Sequence, residues 1–412
     1  MQSESSPATP ATKTIGFTEF VVLVALMMAC QALAIDAMLP ALPTIAHAMG
    51  LTDQNRSQWV VTAYIAGMGV GQLFWGILSD RLGRRPVLLI GLGLYVVAAL
   101  LVGLSQSFEG LLGWRFVHGV AAASAVVSRS VIRDLYEGRQ MARVMSLTFI
   151  VFIMVPILAP SIGQLVLLVA PWRYLFVLFS VFAVIIWAWV WLRLPETLHP
   201  EYRLTLDLKH IAHATGVVIG DRASVCYTVA VAMVFGSILA YVGMVQQIFA
   251  DVFHQAALMP TMFAVCAAAM GVMSFVNSRI VGRLGMRIVS QTGLLLFIAI
   301  SGLHVLVAAL EFETLTTFVV LQAAAMSCVG LMMANFGTMA MEPMGSVAGI
   351  AASLQGFFST TVAALTGAFI GRYFNGSTLP LVAGALGCGA VALVFVLLAE
   401  RGRLFQPHHA AE

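Results

Sequence analysis

The chain has 412 residues, of which 60% are hydrophobic and only 9% are charged, and its formal net charge is +3. Soluble domains carry about 25% charged residues, so this composition excludes an ordinary soluble protein and predicts a membrane protein with many spans. The five cysteines stand singly, without a CxxC pair or a histidine cluster, which excludes a disulfide framework and a zinc site. The small positive charge gives no reason to expect a nucleic-acid partner.

The first half contains six apolar windows of about 20 residues, the length that crosses a bilayer as an α-helix. The first window is too long for a signal peptide and lacks a cleavage site, which indicates a retained span after a disordered tail at 1–16. The windows form a predicted N-terminal bundle over 17–194, and they lie at 17–41, 57–79, 86–105, 110–132, 143–168 and 172–194.

The second half repeats this pattern after a polar stretch at 195–222, which we interpret as a cytoplasmic linker. Helices satisfy their own backbone hydrogen bonds in hydrocarbon, so the predicted fold is an all-α membrane protein with twelve transmembrane helices in two six-helix bundles. The predicted C-terminal bundle covers 223–399 and precedes a tail at 400–412, and its windows lie at 223–249, 257–281, 288–309, 314–338, 346–373 and 379–399.

The lysine and arginine residues indicate how the spans are oriented. If the N-terminus is cytoplasmic, all but four of the 21 basic residues lie on the cytoplasmic side. The exceptions are Arg56, Arg173 and Arg372, which lie outside, and Arg115, which lies within a span. The positive-inside rule therefore predicts that both termini are cytoplasmic.

An internal repeat relates the two halves at an offset of 202 residues, where "SDRLGRRPVLLIG" (79–91) matches "VGRLGMRIVSQTG" (281–293). Both copies lie between the second and third span of their half. Duplicated halves are typical of secondary transporters, whose substrate site lies between the halves and which work by alternating access. Chance matching of two basic loops is the alternative.

The first copy, "GILSDRLGRRP" (76–86), has features that a simple topology signal does not require. Gly83 permits a tight turn, and Asp80 can pair with basic residues or with a helix N-terminus. We expect these charges, together with the charged end of the fourth span, to form a conformational latch. The alternatives are topology determinants and a solvated helix end. The predicted latch residues are Gly76, Asp80, Arg81, Gly83, Arg84, Arg85, Arg133 and Asp134.

This loop is similar to the signature loop of the major facilitator superfamily, and the first half resembles the bicyclomycin-resistance (Bcr/CflA) group of drug/proton antiporters. The resemblance extends from Ile35 to Thr197 and is thin in the second half. It implies alternating-access exchange of drugs for protons, with a first-span acid and the fourth-span arginine taking part in coupling. The segments that carry it are "IDAMLPALP" (35–43), "RFVHGVAAA" (115–123), "PILAPSIG" (156–163), "PWRYLF" (171–176) and "LPET" (194–197).

The fifth span carries Pro156 and Pro160 four residues apart, with Gly163 after them. Each proline removes a helical hydrogen bond and the glycine allows close packing, so we expect an antiporter hinge, with a static kink as the alternative. The segment departs from the antiporter motif, in which glycines are typical, at Ala159, Ser161 and Gln164.

Asp36 is the only acid that the windows place well inside a span. An ionised side chain near the bilayer centre costs about 2.5–3.5 kcal/mol, so Asp36 is the predicted proton carrier, unless the nearby prolines make it an ordinary helix end. Arg115 and His118 lie one turn apart on the fourth span and complete the predicted proton-coupling group. Asp36 and Arg115 can approach each other across the cavity. Arg115 can instead be a structural linker, and His118 a packing residue.

Candidate substrate-cavity residues are the soft or amphipathic side chains of spans two, seven, ten and eleven. Each of them can instead face lipid or the core, but together they suit large, weakly polar compounds. They are Tyr64, Phe235, Tyr241, Gln246, Gln322, Asn335, Gln355 and Phe358.

The chain has no phosphate loop for ATP, no HExxH motif and no intramembrane protease motif, so we predict that it is not an enzyme. The predicted function is proton-driven efflux of hydrophobic or amphipathic drugs. We expect a monomer in a lipid bilayer that uses the proton gradient and a small-molecule substrate but no cofactor. The alternatives are a proton-coupled carrier of a small metabolite (a sugar, amino acid or nucleoside, by export or symport) and, less favoured, a membrane receptor or enzyme.

Overall fold

The structure is a computed structural model that describes residues 15–136, 138–198, 201 and 208–405. Its first half contains α1 Phe17–Asp36, α2 Leu42–Ala48, α3 Trp59–Leu82, α4 Arg84–Leu104, α5 Phe108–Ala122, α6 Val127–Leu135, α7 Gly138–Val169 and α8 Arg173–Arg193. The rest contains α9 Leu208–Gly220, α10 Arg222–Gln247, α11 Met259–Leu284, α12 Met286–Ala309, α13 Leu315–Met341, α14 Ala348–Gly371 and α15 Leu379–Ala399.

The described helices confirm the predicted twelve-helix membrane fold. Eleven helical segments are long and apolar enough to cross a membrane, and α7, with its apolar part Met154–Val169, supplies the remaining span. The predicted windows correspond to these spans with small shifts at their ends. Most of the predicted N-terminal tail, at 1–14, and the end of the predicted C-terminal tail, at 406–412, lie outside the described residues.

The first span is interrupted where its prolines lie. Helix α1 ends at Asp36, a 3-10 turn follows at Leu39–Ala41, and α2 continues the same path to Ala48. Pro40 and Pro43 each occupy the first or second position of the element that they begin. Because proline lacks an N–H group and is tolerated at a helix start, the chain restarts its helix there instead of continuing α1.

The predicted linker at 195–222 is not wholly irregular, because α9 forms within it. The apolar residues Ala214 and Val218 of α9 pack against Met344, Val347 and Ala351 of the C-terminal half. A helix with one apolar side needs such a partner. In the sequence, two histidines interrupt the apolar residues of this segment, so it does not show the long apolar run that identifies a span. Residues 199–200 and 202–207 of the linker lie outside the described residues.

The two halves meet mainly along two pairs of helices, α3 with α14 and α7 with α11. Small residues bring α3 and α14 close together: a Cβ atom on Gly69 would overlap Thr361, and one on Gly76 would lie 3.2 Å from Ser353 Oγ. Small residues at a helix interface allow the backbones to approach and gain van der Waals contact, which is how helices associate in lipid.

We call the two ends of the molecule the basic end and the opposite end. The basic end holds the start of α1, the end of α15 and the turns at Gly83 and Gly285. Its ion pairs include Arg193 with Glu19, at 2.7 Å. The opposite end holds the loops around residues 49–58, 105–107, 253–258, 310–314 and 372–378. The arginines that the sequence placed on the cytoplasmic side thus share one end, as far as the described residues show.

Candidate functional site

Asp36 is the last residue of α1 and is 6% exposed. Among the described residues, its carboxylate has no hydrogen-bond or ion-pair partner. Glu313, whose side chain is 8% exposed, differs in this respect because it binds His304 Nε2 at 2.6 Å and accepts the hydroxyl of Thr378. A buried carboxylate without a partner is held most easily in its neutral, protonated form, which makes Asp36 suitable for reversible proton binding.

Arg115 lies in the middle of the N-terminal half and is completely buried. Its Nε donates to the carbonyl of Val60 at 3.0 Å, and its Nη2 donates to the carbonyl of Ala34 at 3.2 Å. Its guanidinium carbon also lies 4.4 Å from the centre of the Tyr64 ring. The arginine therefore joins α1, α3 and α5. The expected ion pair with Asp36 is not formed in this structure, because backbone carbonyls occupy the guanidinium instead.

His118 lies one turn after Arg115 and is also completely buried. Its Nδ1 accepts a hydrogen bond from Arg115 Nη1 at 3.2 Å, and its ring centre lies 5.1 Å from Tyr64 and 4.1 Å from Tyr95. Its Nε2 has no partner among the described residues. These contacts support the interpretation that His118 packs between aromatic rings and orients Arg115.

The expected hinge lies directly beside this group. Gly163 of α7 faces the backbone of Ala37, so closely that a Cβ atom on Gly163 would overlap the Ala37 carbonyl. Pro160 lies about one turn before Gly163 in the same helix, and Pro156 about two turns before it. The antiporter segment of α7 thus touches the residue that follows Asp36, a proximity that the sequence did not indicate.

Part of the predicted latch group lies around Arg84, which is 3% exposed. Its guanidinium binds Asp80 and, at 3.0 Å, Asp134, so the cluster joins the ends of α3, α4 and α6. All three residues belong to the N-terminal half, so these charges do not join the two halves in this structure. Arg81 and Arg133 are exposed and have no partner among the described residues.

Sequence reasoning missed the part that Glu196 plays in this cluster. Its carboxylate accepts hydrogen bonds from the backbone N–H groups of Arg84 at 2.9 Å and Arg85 at 3.3 Å, and so caps the start of α4. Gly83 has a φ of +105°, and a Cβ atom there would overlap the Glu196 carboxylate. Thr197 adds a hydrogen bond to Asp134 at 3.1 Å. The signal was the "LPET" segment, which the resemblance includes without assigning it a role.

The C-terminal half has a counterpart that the repeat only partly predicted. Gly285 has a φ of +83° and begins the same kind of turn as Gly83. Arg287 binds Glu400 at 2.7 Å, and Tyr227 donates its hydroxyl to the same carboxylate. The acid thus comes from the end of the last span, which the sequence pattern did not pair with Arg287.

The predicted cavity residues fall into two groups. Tyr64 belongs to the Arg115 cluster, while Tyr241 and Gln246 on α10 are buried with a side-chain oxygen that has no partner among the described residues. The others differ in their contacts and in their exposure. Asn335 binds Asn277 at 2.9 Å, Gln355 binds the carbonyl of Gly337 at 3.3 Å, Gln322 is buried, Phe235 is half-buried and Phe358 is 51% exposed.

A further polar residue near Asp36 was overlooked. Gln31 lies in α1 and donates from its amide to the carbonyl of Ala122 at 2.7 Å. The backbone carbonyl oxygen of Gln31 accepts a hydrogen bond from the hydroxyl of Tyr64 at 3.2 Å. The contact with Tyr64 places Gln31 in the same network as Arg115. The available signal in the sequence was a polar amide inside an apolar window.

Comparison with known proteins agrees with this architecture. A sequence profile described as Major Facilitator Superfamily matches residues 24–365. A bicyclomycin resistance protein homolog from Haemophilus influenzae is 27% identical over 387 residues, which cover 92% of this chain and 94% of that protein. Multidrug resistance protein MdtL from Klebsiella pneumoniae is 36% identical over 143 residues, which cover 34% of this chain and 36% of that protein. The crystal structure of a D-xylose-proton symporter has the same fold, with a TM-score of 0.72 and 12% identity, covering 94% of this chain and 98% of that chain.

Proposed function

The chain belongs to the Major Facilitator Superfamily, a family of membrane transporters, and from this premise we propose that it exports drugs in exchange for protons. The proposed substrates are hydrophobic or amphipathic compounds, and the proposed energy source is the proton gradient, without a cofactor. We further propose that it works as a monomer in a bacterial inner membrane, with its basic end and both termini in the cytoplasm.

The single observation that carries the proposal is the state of Asp36. It is buried at the break of the first span and has no hydrogen-bond or ion-pair partner among the described residues. The charged form is expensive to bury and the neutral form is not, so the site gains or loses a proton when its surroundings change. An ion pair would instead hold the carboxylate charged.

Two contacts connect the protonation of Asp36 to the rest of the protein. Arg115 binds the carbonyl of Ala34 in the same turn of α1, and Gly163 of α7 lies against Ala37. A change in how this helix end packs therefore acts directly on the span with the two prolines. In the proposed cycle, proton binding and substrate binding at this helix end favour different packings, which is the requirement for coupled exchange.

Several observations support drugs as the substrate class. The names of two relatives refer to bicyclomycin resistance and multidrug resistance. The chain contains 22 methionines and 25 phenylalanines, side chains that adapt to apolar compounds of different shape. On α10, Tyr241 and Gln246 have buried side-chain oxygens without a hydrogen-bond partner among the described residues, and such oxygens suit hydrogen bonds to a weakly polar drug.

Transport in inside-out membrane vesicles tests the proposal. The vesicles are energised so that a pH-sensitive dye reports the proton gradient, and ethidium is then added. We expect the wild-type protein to release part of the gradient, because each proton that moves with the field gains about 2.3 kcal/mol per 100 mV. The variant Asp36→Asn keeps the shape of the side chain and cannot cycle a proton, so it should give no release.

Asp251→Asn is the matched control, because Asp251 is exposed at the end of the seventh span and has no partner among the described residues. It should release the gradient as the wild type does. If a broad panel of drugs gives no release with the wild-type protein, drug/proton exchange is wrong. If release occurs with sugars, amino acids or nucleosides instead, the protein is a metabolite carrier. If Asp36→Asn behaves as the wild type, the proton site lies elsewhere.

A further inference from the structure

We propose that a buried group of neutral amides is the gate that closes this transporter at the opposite end. We call it the amide lock, and it consists of Asn55 and Gln58 at the start of the second span, Gln247 at the end of α10, and Gly371 at the end of α14. The inference rests on the proposed transport function, because a gate has a meaning only in a carrier that opens alternately at two ends.

The lock is where the two halves are bonded to each other. Among the described residues, side-chain hydrogen bonds between the halves occur at the opposite end and, once, near the middle, where Gln72 donates to Thr360 at 3.2 Å. At the basic end, no hydrogen bond or ion pair between the halves occurs in the described part of the chain. The cluster of Arg84 and that of Arg287 each stay within one half. Among the described residues, the side-chain hydrogen bonds that join the halves thus lie mostly at the opposite end.

The central contact of the lock is a hydrogen bond from Gln58 Nε2 to Gln247 Oε1 at 2.6 Å. These two side chains come from different halves, and the residues are 4% and 7% exposed. Gln247 Nε2 continues the chain of bonds to Asn55 Oδ1 at 2.9 Å, and Asn55 donates to the carbonyl of Phe374 at 3.0 Å. Each amide thus binds across the boundary between the halves.

Gly371 makes this arrangement possible. Its carbonyl accepts a second hydrogen bond from Gln58 at 3.4 Å, and a Cβ atom at Gly371 would overlap the side-chain oxygen of Gln58. The end of α14 can therefore approach the glutamine only without a side chain. Any residue larger than glycine must push α14 or Gln58 away.

A small cavity lies between the halves beside the lock, with a volume of about 10 Å³, which is room for about one water molecule. Gln58 lines it together with apolar residues that include Val61, Ile65, Leu239 and Ala364. A drug-sized compound does not fit this cavity, which is what a closed gate at this end requires.

The use of amides suits a gate that must open in every cycle. Neutral amides exchange hydrogen bonds with each other for hydrogen bonds with water at a small net cost, whereas a buried ion pair is difficult to separate. The lock also adds no charge near Asp36. The gate can thus open in response to changes elsewhere in the protein while it keeps water and solutes out when closed.

Distance measurements between spin labels test the gate without any transport assay. One pair of labels, at Gln106→Cys and Asn375→Cys, spans the opposite end, and another, at Leu82→Cys and Gly282→Cys, spans the basic end. All four positions are exposed, and the native cysteines are buried. Purified protein in lipid nanodiscs is measured by pulsed electron resonance, with protein that lacks introduced cysteines as the blank.

We expect Gly371→Ala to add a longer distance at the opposite end and a shorter one at the basic end. Gln247→Leu should raise the open population at the opposite end by about tenfold, because it removes two hydrogen bonds. Gln58→Ala should open the lock in part. The double variant Gln58→Ala/Gly371→Ala should open it no further than Gln58→Ala alone, because the clash at Gly371 requires the glutamine side chain.

The controls are Gly302→Ala and Gln54→Leu. A Cβ atom at Gly302 meets nothing within 4 Å, and Gln54 is an exposed amide in the same short turn as Gln58. Both should give wild-type distances. Wild-type distances in Gly371→Ala and Gln247→Leu, or equal shifts in the controls, would overturn the amide lock. Since these distances are measured without substrate, the absence of drug transport would overturn the proposed function alone. If Gly371→Ala does not fold, Gln247→Leu still decides the outcome.

Discussion

The two halves of the protein hold their buried acids in different ways. In the N-terminal half, Asp36 is buried without a partner among the described residues, while Arg115 is bound to backbone carbonyls and a histidine. In the C-terminal half, the buried carboxylate of Glu313 binds His304 and Thr378. A carboxylate with two partners is fixed in place, and a carboxylate with none responds to its surroundings. The comparison supports the proposal that the coupling chemistry belongs to the N-terminal half.

The two halves also build their basic-end turns differently. Both turns have a glycine with positive φ, at Gly83 and Gly285. In the first half, the following arginine, Arg84, is almost fully buried, with a side chain 4% exposed, while the side chain of Arg287 in the second half is 18% exposed. At the offset of 202 residues Arg287 corresponds to Arg85, and Arg84 corresponds to Met286. The repeat thus preserved the turn, while the arginines that bind the acids and the acids themselves come from different positions. Four substitutions test how far this difference between the halves extends.

Replacing Arg115 by Met should have the largest effect. The change leaves the carbonyls of Ala34 and Val60 without their donor in a completely buried site, which we expect to lower the free energy of unfolding by about 3 kcal/mol and to abolish transport. Thermal unfolding in detergent and dye release in vesicles measure both effects. Arg173→Met is the control, because Arg173 makes one long hydrogen bond, of 3.4 Å, to Ser105. Normal stability of Arg115→Met would contradict the linking role of this arginine.

Replacing Gly163 by Ala should reduce transport about tenfold or more. The added Cβ atom would overlap the Ala37 carbonyl, so α7 must move away from the end of α1. Initial rates of ethidium efflux measure the loss. Gly113→Ala is the matched control because its Cβ atom meets nothing within 4 Å. Equal rates in the two variants would show that the contact between Gly163 and Ala37 has no part in transport.

Replacing Glu196 by Gln should have a moderate effect, about 1 kcal/mol of stability, because a neutral amide is a weaker cap for the N–H groups of Arg84 and Arg85 than a carboxylate. The midpoint of thermal unfolding should fall by a few degrees. Glu109→Gln, which removes an exposed ion pair with Arg56, serves as control and should change the midpoint very little. A wild-type midpoint in Glu196→Gln would mean that α4 does not depend on this cap.

Replacing Glu313 by Gln should have the smallest effect on transport. Glutamine keeps a side-chain oxygen for Thr378 and His304 but replaces a carboxylate with an amide, a weaker hydrogen-bond acceptor, so stability should fall by about 1 kcal/mol while proton-coupled efflux continues. The vesicle assay compares it with Asp36→Asn, the corresponding change in the other half. Loss of proton coupling in Glu313→Gln would contradict the assignment of coupling to the N-terminal half.

The sequence by itself predicted the membrane fold, the twelve spans and the turns at Gly83 and Gly285. These features depend on local properties: the length of an apolar run, the missing N–H of proline and the permitted φ of glycine. It also indicated the burial of Asp36 and Arg115, since a charged side chain within a membrane span faces the interior of the helix bundle rather than lipid. The sequence indicated that Asp80 can pair with nearby basic residues, without saying which one.

Only the tertiary structure decided which side chains meet. Glu196 caps α4 across 112 residues of chain, Gly163 touches Ala37, and Gln58 binds Gln247 across 189 residues. It also decided against the ion pair between Asp36 and Arg115, since the carbonyls of α1 and α3 lie closer to the guanidinium. Hydropathy and spacing describe each helix alone, whereas these contacts depend on how separate helices pack, and the sequence encodes that packing in the shapes of all their faces together.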